Sequence, residues 1–136
     1  MARGLTPALR SLVTERAGGR CEYCLLPEAF CAARHEPDHI IPLQHGGQTV
    51  PENLALACLR CNRYKGPNAA SYDPVKGALT ALFNPRVALW EQHFQWDGGE
   101  IKPLTPMGRV TVRILRLNHP YRVAERSALQ DKGVFP

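Results

Sequence analysis

The sequence has 136 residues, which suits one small domain with a modest hydrophobic core. Its 17 basic and 12 acidic residues give a formal charge of +5, which favours a phosphate-bearing partner, with an ordinary solvated surface as the alternative. No window has the apolar length of a membrane helix, and charged residues interrupt the N-terminal stretch, so we expect a soluble cytoplasmic protein without a secretory leader.

The first predicted element is a helix over residues 6–17. Thr6 is suited to the N-cap and Pro7 to the first turn, and two glycines follow the last apolar position. The predicted apolar face consists of Leu9, Leu12, Val13 and Ala17. A second, short helix is predicted over residues 27–33.

Four of the five cysteines form two CxxC pairs. Such pairs on short turns supply four thiolates, which is the ligand set of a closed, tetrahedral structural zinc site. Buried free thiols are the alternative interpretation. The fifth cysteine, Cys31, is predicted to be a small buried apolar residue. The predicted zinc ligands are Cys21, Cys24, Cys58 and Cys61.

Between the two cysteine pairs the pattern predicts strand, loop, strand and helix. The strands are expected over residues 38–43 and 54–57, and the loop over residues 44–51. Pro37 and Pro42 cannot donate to a ladder, so the first strand is expected to be short or at an edge. The helix is expected over residues 59–65, immediately after the second cysteine pair.

Beyond residue 67 the sequence predicts a loop over 68–77, a short helix over 87–94 and a hairpin around Asp97-Gly98-Gly99. Two longer helices follow, the first capped by Thr105 and reaching Leu117, the second over residues 120–131. Arginines form a stripe along the first of these helices, which is either a second nucleic-acid patch or a plain solvated face. They are Arg109, Arg113 and Arg116.

Four polar residues lie inside the predicted strand–loop–strand–helix unit: Asp38, His39, Asn53 and Asn62. Phosphodiester cleavage needs an activated water and a group that neutralises the leaving oxygen. A hard divalent ion meets the second need with few protein ligands, and Asp38 and Asn62 offer oxygens for it. Imidazole is the side chain best suited to a general base near neutral pH, which makes His39 the candidate base. Each residue alone is more typical of a turn, a cap or a helix start.

The run DHIIPLQHGGQTVPENLALACLRCNRYKG resembles the HNH endonuclease family, also called the ββα-metal or His-Me finger nucleases. The matching elements are the Asp38-His39 pair, the HGG turn, ENLALAC, and the CxxCNxxK run that ends at Lys65. They lie within residues 20–70, and the segment from residue 82 to 118 is similar to the tail of a bacterial HNH subgroup. The resemblance implies an α+β fold with a ββα-metal core.

The resemblance implies roles for the four polar residues. Asp38 and Asn62 would bind a catalytic Mg²⁺ or Mn²⁺, and His39 would activate water. Asn53 would tie the loop between the strands and so orient the histidine. The products would carry 5′-phosphate and 3′-hydroxyl ends. The zinc is expected to fix the start of the helix that bears Asn62.

We therefore expect a DNA endonuclease built as one domain over residues 1–136, with a nuclease core at 20–70 and a mostly helical extension at 71–136 packed on it. DNA contacts are expected from Arg60, Arg63 and Lys65 on the short helix. A non-catalytic zinc-dependent DNA-binding module is the main alternative, although it has no use for Asp38-His39 and Asn62. A structural or protein-binding zinc domain is a further alternative. The pattern does not indicate an oligomeric state.

Overall fold

The structure, a computed structural model, describes residues 4–136. It begins with helix α1 (Pro7–Arg16). The side chain of Thr6 accepts a hydrogen bond from the backbone N–H of Leu9 at 3.1 Å, so the predicted N-cap is confirmed. The short helix expected over residues 27–33 is a single 3₁₀ turn, Glu28–Phe30.

A two-stranded antiparallel sheet and one helix form the centre of the molecule. Strand β1 (Glu36–His39) pairs with strand β2 (Leu54–Ala57), with Asp38 opposite Ala55. Helix α2 (Leu59–Lys65) begins directly after the second strand. The order is therefore β–β–α, and the bounds of β2 and α2 agree with the prediction.

The first strand is two residues earlier and shorter than predicted. The sequence favoured residues 38–43, but pairing ends at His39. Beyond it, the side chain of Asn53 bonds both backbone groups of Ile41, at 2.8 Å and 3.0 Å, so these groups are not available to a ladder. Ile41 is 47% exposed, whereas Ile40 is buried in the core. The predicted loop that follows contains two further 3₁₀ turns.

Helix α1 covers one face of β2. Val13 packs with Leu54 and Leu56, and all three side chains are fully buried. The alternating residues Ala55 and Ala57 belong to the larger core on the other face. Both faces of the strand are therefore covered. The prediction that Leu12 belongs to the apolar face of α1 is wrong, because this side chain is 43% exposed.

The remainder of the chain contains two hairpins and three helices. The segment over residues 68–77 was expected to be a loop, but it enters a hairpin whose turn is held by Asp73, which accepts hydrogen bonds from the backbone N–H groups of Val75 and Lys76. The second hairpin and the last helix agree with the prediction. The elements are β3 (Ala70–Tyr72), β4 (Leu79–Ala81), α3 (Trp90–His93), β5 (Phe94–Asp97), β6 (Glu100–Pro103), α4 (Pro106–Ile114) and α5 (Pro120–Asp131).

This C-terminal extension shares a hydrophobic core with the turn that carries the first cysteine pair. Trp90 is buried, and its indole N–H donates to the carbonyl of Tyr23 at 2.9 Å. Arg86 forms an ion pair with Glu22 of the same turn. The aromatic rings of Phe83, Phe94 and Trp96 complete the cluster around Trp90. Trp90 and Trp96 therefore serve packing.

Two arginines of the predicted basic stripe have partners within the protein. Arg109 donates two hydrogen bonds of 2.8 Å to the carboxylate of Asp73, which is 2% exposed. The guanidinium of Arg116 lies 5.1 Å from the ring centre of Tyr64. The stripe is therefore partly structural. None of the helices in residues 4–136 combines the length and the hydropathy needed to cross a membrane.

We predict that Asp73→Asn lowers the melting temperature at pH 7. Hydrogen bonds from Arg109 hold the pKa of Asp73 well below its ordinary value. The contribution of a carboxyl with a lowered pKa is complete above its unfolded pKa of about 3.9 and is lost as the pH falls through the folded pKa. The difference in melting temperature between wild type and variant should therefore begin to shrink below about pH 4 and continue to shrink as the pH falls towards the folded pKa. Asp97→Asn, at the exposed end of β5, is the control, and a constant difference between wild type and Asp73→Asn at all pH values would contradict the assignment.

Candidate functional site

Four cysteine side chains meet in the interior. Cys21, Cys24, Cys58 and Cys61 are buried, and their sulfur atoms all lie within 4.8 Å of one another. The sulfurs of Cys24 and Cys58 are 3.8 Å apart. A tetrahedral zinc with four sulfurs at about 2.3 Å would separate the sulfurs by about 3.8 Å. The donor set and its spacing therefore fit a structural zinc ion.

The two cysteine pairs have the same local geometry. In each pair the backbone N–H of the second cysteine points to the sulfur of the first, at 3.5 Å for Cys24 and Cys21 and at 3.4 Å for Cys61 and Cys58. Cys58 is also the N-cap of α2. Fixing this cluster therefore fixes the start of the helix that carries Asn62.

A buried arginine from the C-terminal extension touches this cluster. Arg122 is 3% exposed, and its Nη2 donates to the sulfur of Cys61 at 3.0 Å and lies 3.9 Å from that of Cys58. Burial alone would lower the pKa of Arg122, but the thiolates of Cys61 and Cys24 raise it above its ordinary value. The guanidinium therefore stays charged beside the sulfurs.

The end of β1 and the first turn of α2 line one pocket of about 510 Å³. Asp38 and His39 from the strand and Asn62 from the helix all contribute to it. Neighbouring strand residues face opposite sides of a sheet, and here Asp38 is partly exposed while His39 is buried. Both reach the same pocket, with His39 as the last residue of the strand.

Lys65 lies beneath this pocket and is 1% exposed. Its Nζ donates to the carbonyl of His39 at 2.8 Å and lies 3.4 Å from Oδ2 of Asp38. No described residue donates a hydrogen bond to that buried oxygen. Burial raises the pKa of the Asp38 carboxyl, and the Lys65 ammonium offsets only part of the rise. The Asp38 carboxylate also lines the pocket, so it can offer an oxygen to a divalent ion there.

The ring of His39 is held by a residue that the sequence did not single out. Its Nε2 lies 2.8 Å from the hydroxyl of Thr49. Nδ1 of His39 has no hydrogen-bond partner among the residues that the structure describes. The ring is therefore fixed through one nitrogen, which leaves the other for chemistry.

Asn53 lies outside the pocket and holds the loop that carries Thr49. Besides its two bonds to Ile41, its side chain donates to the carbonyl of Gln48 at 2.9 Å. This close approach requires glycine at position 47, where a Cβ atom would lie 1.7 Å from the carbonyl oxygen of Ile41 and 2.9 Å from the Asn53 amide nitrogen. The loop is thereby closed immediately before Thr49.

The predicted DNA-contacting residues of α2 separate in the structure. Arg63 is exposed. Arg60 is 46% exposed in its side chain and pairs with Glu125 of α5 at 3.5 Å. Lys65 was expected at the DNA surface, and this expectation is wrong, because its ammonium is buried against Asp38 and His39. The internal contact with Asp38 and His39 explains why a lysine ends the CxxCNxxK run.

The pocket contains two arginines that the sequence reasoning missed. Arg10 of α1 lines it and forms an ion pair with Glu36, and Arg34 lines it from the residues before β1. The guanidinium of Arg34 makes no ion pair with any residue in the range 4–136. Neither arginine lies in a motif, and only packing of α1 against the sheet brings Arg10 to the pocket.

Three further titratable residues have structural contacts. Nε2 of His35 donates to the carbonyl of Leu26 at 2.8 Å, and Nε2 of His45 donates to that of Pro67 at 3.0 Å. Cys31 lies outside the four-cysteine cluster, and burial raises the pKa of its thiol to about 12. Cys31 is therefore a neutral, partly buried thiol.

Comparison with protein families gives one match. Residues 21–68 match the model of the HNH endonuclease family, a segment that contains the two cysteine pairs, both strands and α2. The searches of curated proteins and of solved structures found no match. Residues 21–68 therefore match an HNH endonuclease domain, and the match includes the buried four-cysteine cluster; this family consists of hydrolases that act on the phosphodiester bonds of DNA.

Proposed function

We propose that the protein is a metal-dependent DNA endonuclease whose active site is the pocket formed by Asp38, His39 and Asn62. The observation that carries this proposal is that a carboxylate, an imidazole and a carboxamide from two different elements line the same pocket. A non-catalytic DNA-binding domain would not require this combination.

The proposed ligands of the catalytic ion are the carboxylate of Asp38 and the amide oxygen of Asn62. When bound, Mg²⁺ or Mn²⁺ would polarise the phosphate and neutralise the leaving oxygen. Lys65 contributes by fixing the end of β1 to α2, so that Asp38 and Asn62 remain in the same relative position. The role of Lys65 is therefore positioning rather than contact with DNA.

His39 is the proposed general base, acting through Nδ1. For this nitrogen to accept a proton, the neutral ring must carry its hydrogen on Nε2, which then donates to the hydroxyl of Thr49. Asn53 acts indirectly, because it closes the loop that presents Thr49. This chain of hydrogen bonds gives the orienting role of Asn53 a physical basis.

The rim of the pocket is proposed to hold the phosphates of the bound strand. Arg34 makes no ion pair with any residue from 4 to 136, and Arg10 is held in place by Glu36. Arg60 and Arg63 are proposed to contact DNA backbone further from the cut. Such contacts give affinity that depends on salt and only weakly on base sequence.

The four-cysteine cluster is proposed to hold a structural zinc ion. Four thiolates leave no open coordination position, so the ion would act by fixing the fold and not by binding substrate. The two cysteine pairs lie at opposite ends of the β–β segment, and closing the cluster sets the position of α2 and of Asn62.

We predict that the purified protein nicks or linearises supercoiled plasmid in Mg²⁺ or Mn²⁺, and that His39→Ala lowers the rate by about 10²–10⁴-fold, the usual contribution of a general base. The variant should still bind DNA, because the rim arginines are unchanged. Binding without cleavage by the wild type in either ion would favour a non-catalytic DNA-binding module. Undiminished nicking by His39→Ala would exclude His39 as the base.

We also predict that Arg34→Gln weakens DNA binding by about 10–100-fold, since a hydrogen bond to a charged group contributes about 1.5–3 kcal/mol. Binding is measured in the His39→Ala background, and the slope of log K against log salt should fall by about one. Arg113→Gln is the control, since it removes the same charge from an exposed position on α4. Equal effects of the two substitutions would refute a specific phosphate contact at Arg34.

A further prediction concerns zinc. Apparent binding energies of structural zinc are about 10–16 kcal/mol, as large as the whole stability of a typical domain. Cys58→Ala should therefore abolish cooperative thermal unfolding and zinc content together, whereas Cys31→Ala should leave both unchanged. Zinc is measured by atomic emission and folding by circular dichroism. A normal melting curve for Cys58→Ala would contradict the proposed role.

A further inference from the structure

We infer that Arg122 is a positioning residue of the metal centre, so that the C-terminal extension completes the zinc site of the HNH domain. Arg122 lies on α5, about 50 residues beyond the segment that matches the family. Its guanidinium nevertheless approaches Cys61 at 3.0 Å and Cys58 at 3.9 Å. The inference rests on the proposed zinc occupancy of the cluster.

Charge balance gives the first reason. Four thiolates and one Zn²⁺ carry a net charge of −2, and this charge would lie in a buried cluster. A buried charge is costly unless an opposite charge and hydrogen bonds accompany it. Within residues 4–136, Arg122 is the one cationic side chain that donates a hydrogen bond to these sulfurs. It therefore neutralises part of the charge of the loaded cluster.

The second reason is the fork geometry of the guanidinium. While Nη2 faces the sulfurs, Nη1 donates to the carbonyl of Leu115 at 2.8 Å and lies 3.4 Å from that of Arg116. These two carbonyls directly follow α4, and carbonyl groups at the C-terminal end of a helix lack hydrogen-bond partners within the helix. One planar side chain thus joins the cysteine cluster, the end of α4 and α5, which a lysine cannot reproduce.

Coupling between zinc and the extension follows from these contacts. If Arg122 favours the loaded cluster, the loaded cluster favours the docked position of α5 to the same extent, because linkage is reciprocal. Loss of zinc should therefore loosen α4 and α5 before it affects β5 and β6, whose strands pair with each other.

The test compares Arg122→Met with Arg126→Met. Arg126 is the matched control: it lies one turn further on α5, is 2% exposed and donates to the carbonyls of Gly99 and Leu117, but it makes no bond to a cysteine. The full-length proteins are loaded with zinc, and release of the ion to a chelating dye is followed. Loss of an outer partner of a metal ligand usually lowers metal affinity by about 10–100-fold, so Arg122→Met should release zinc faster than wild type by about the same factor.

Arg126→Met should melt earlier but release zinc from its folded state at close to the wild-type rate. If Arg122→Met does not fold, Arg122→Lys provides the same comparison, since its ammonium keeps the charge but cannot span both groups. Hydrogen exchange of residues 106–131 is measured with and without zinc, and only the Arg122 variants should lose the zinc-dependent protection.

The outcomes separate this inference from the proposed zinc site. A wild-type protein that holds no zinc contradicts both. A wild-type protein that holds zinc, together with an Arg122 variant that releases it at the wild-type rate, overturns the inference alone. Equal acceleration by the Arg122 and Arg126 substitutions also overturns it, because the effect would then be general loosening of α5.

Discussion

The meeting of two cysteine pairs from separate parts of the chain is the constraint on which the rest of this structure depends. The β–β–α unit is small, with strands of four residues and a helix of seven, and neither a two-stranded hairpin nor a two-turn helix is stable alone in water. The cluster joins the turn before β1 to the first turn of α2. It thereby sets the distance between the strand that ends at His39 and the helix that begins before Asn62.

Within this frame, hydrogen bonds from side chains to the backbone hold the segments that carry the proposed catalytic groups. Lys65 holds the carbonyl of His39 from below, and Asn53 holds the backbone of Ile41 and Gln48 from the loop side. Each contact fixes a chain segment beside a proposed catalytic residue without entering the reaction. Asp38 and His39 lie at the end of a short strand, where the backbone has few other restraints. Lys65 and Asn53 supply these restraints, which explains why they accompany the pair.

The sequence predicted the elements whose signals are local. Caps at Thr6 and Thr105, the glycine turn at 98–99 and the spacing of the cysteine pairs depend on neighbouring residues, and all appear in the structure. The meeting of the cysteine pairs was predictable because a motif marks both partners, but distant contacts that no motif marks were not. The first strand ends early because Asn53 binds Ile41 from twelve residues away. Arg10, Thr49 and Arg122 reach the site only through packing, and Lys65 turns inward for the same reason.

The basic side chains of this fold form two groups: some are buried or paired inside the protein, and others are exposed where they could contact DNA. Lys65, Arg122 and Arg126 are buried, and Arg109 is committed to Asp73. They stabilise carboxylates, thiolates and helix-end carbonyls inside the protein, where an unpaired acceptor or charge would be costly. The cations near the proposed active site that can meet a phosphate are those at the pocket rim and on the outer side of α2. The formal charge of +5 shows only that the chain is basic. The position of each basic side chain in the fold determines whether it can contact a substrate.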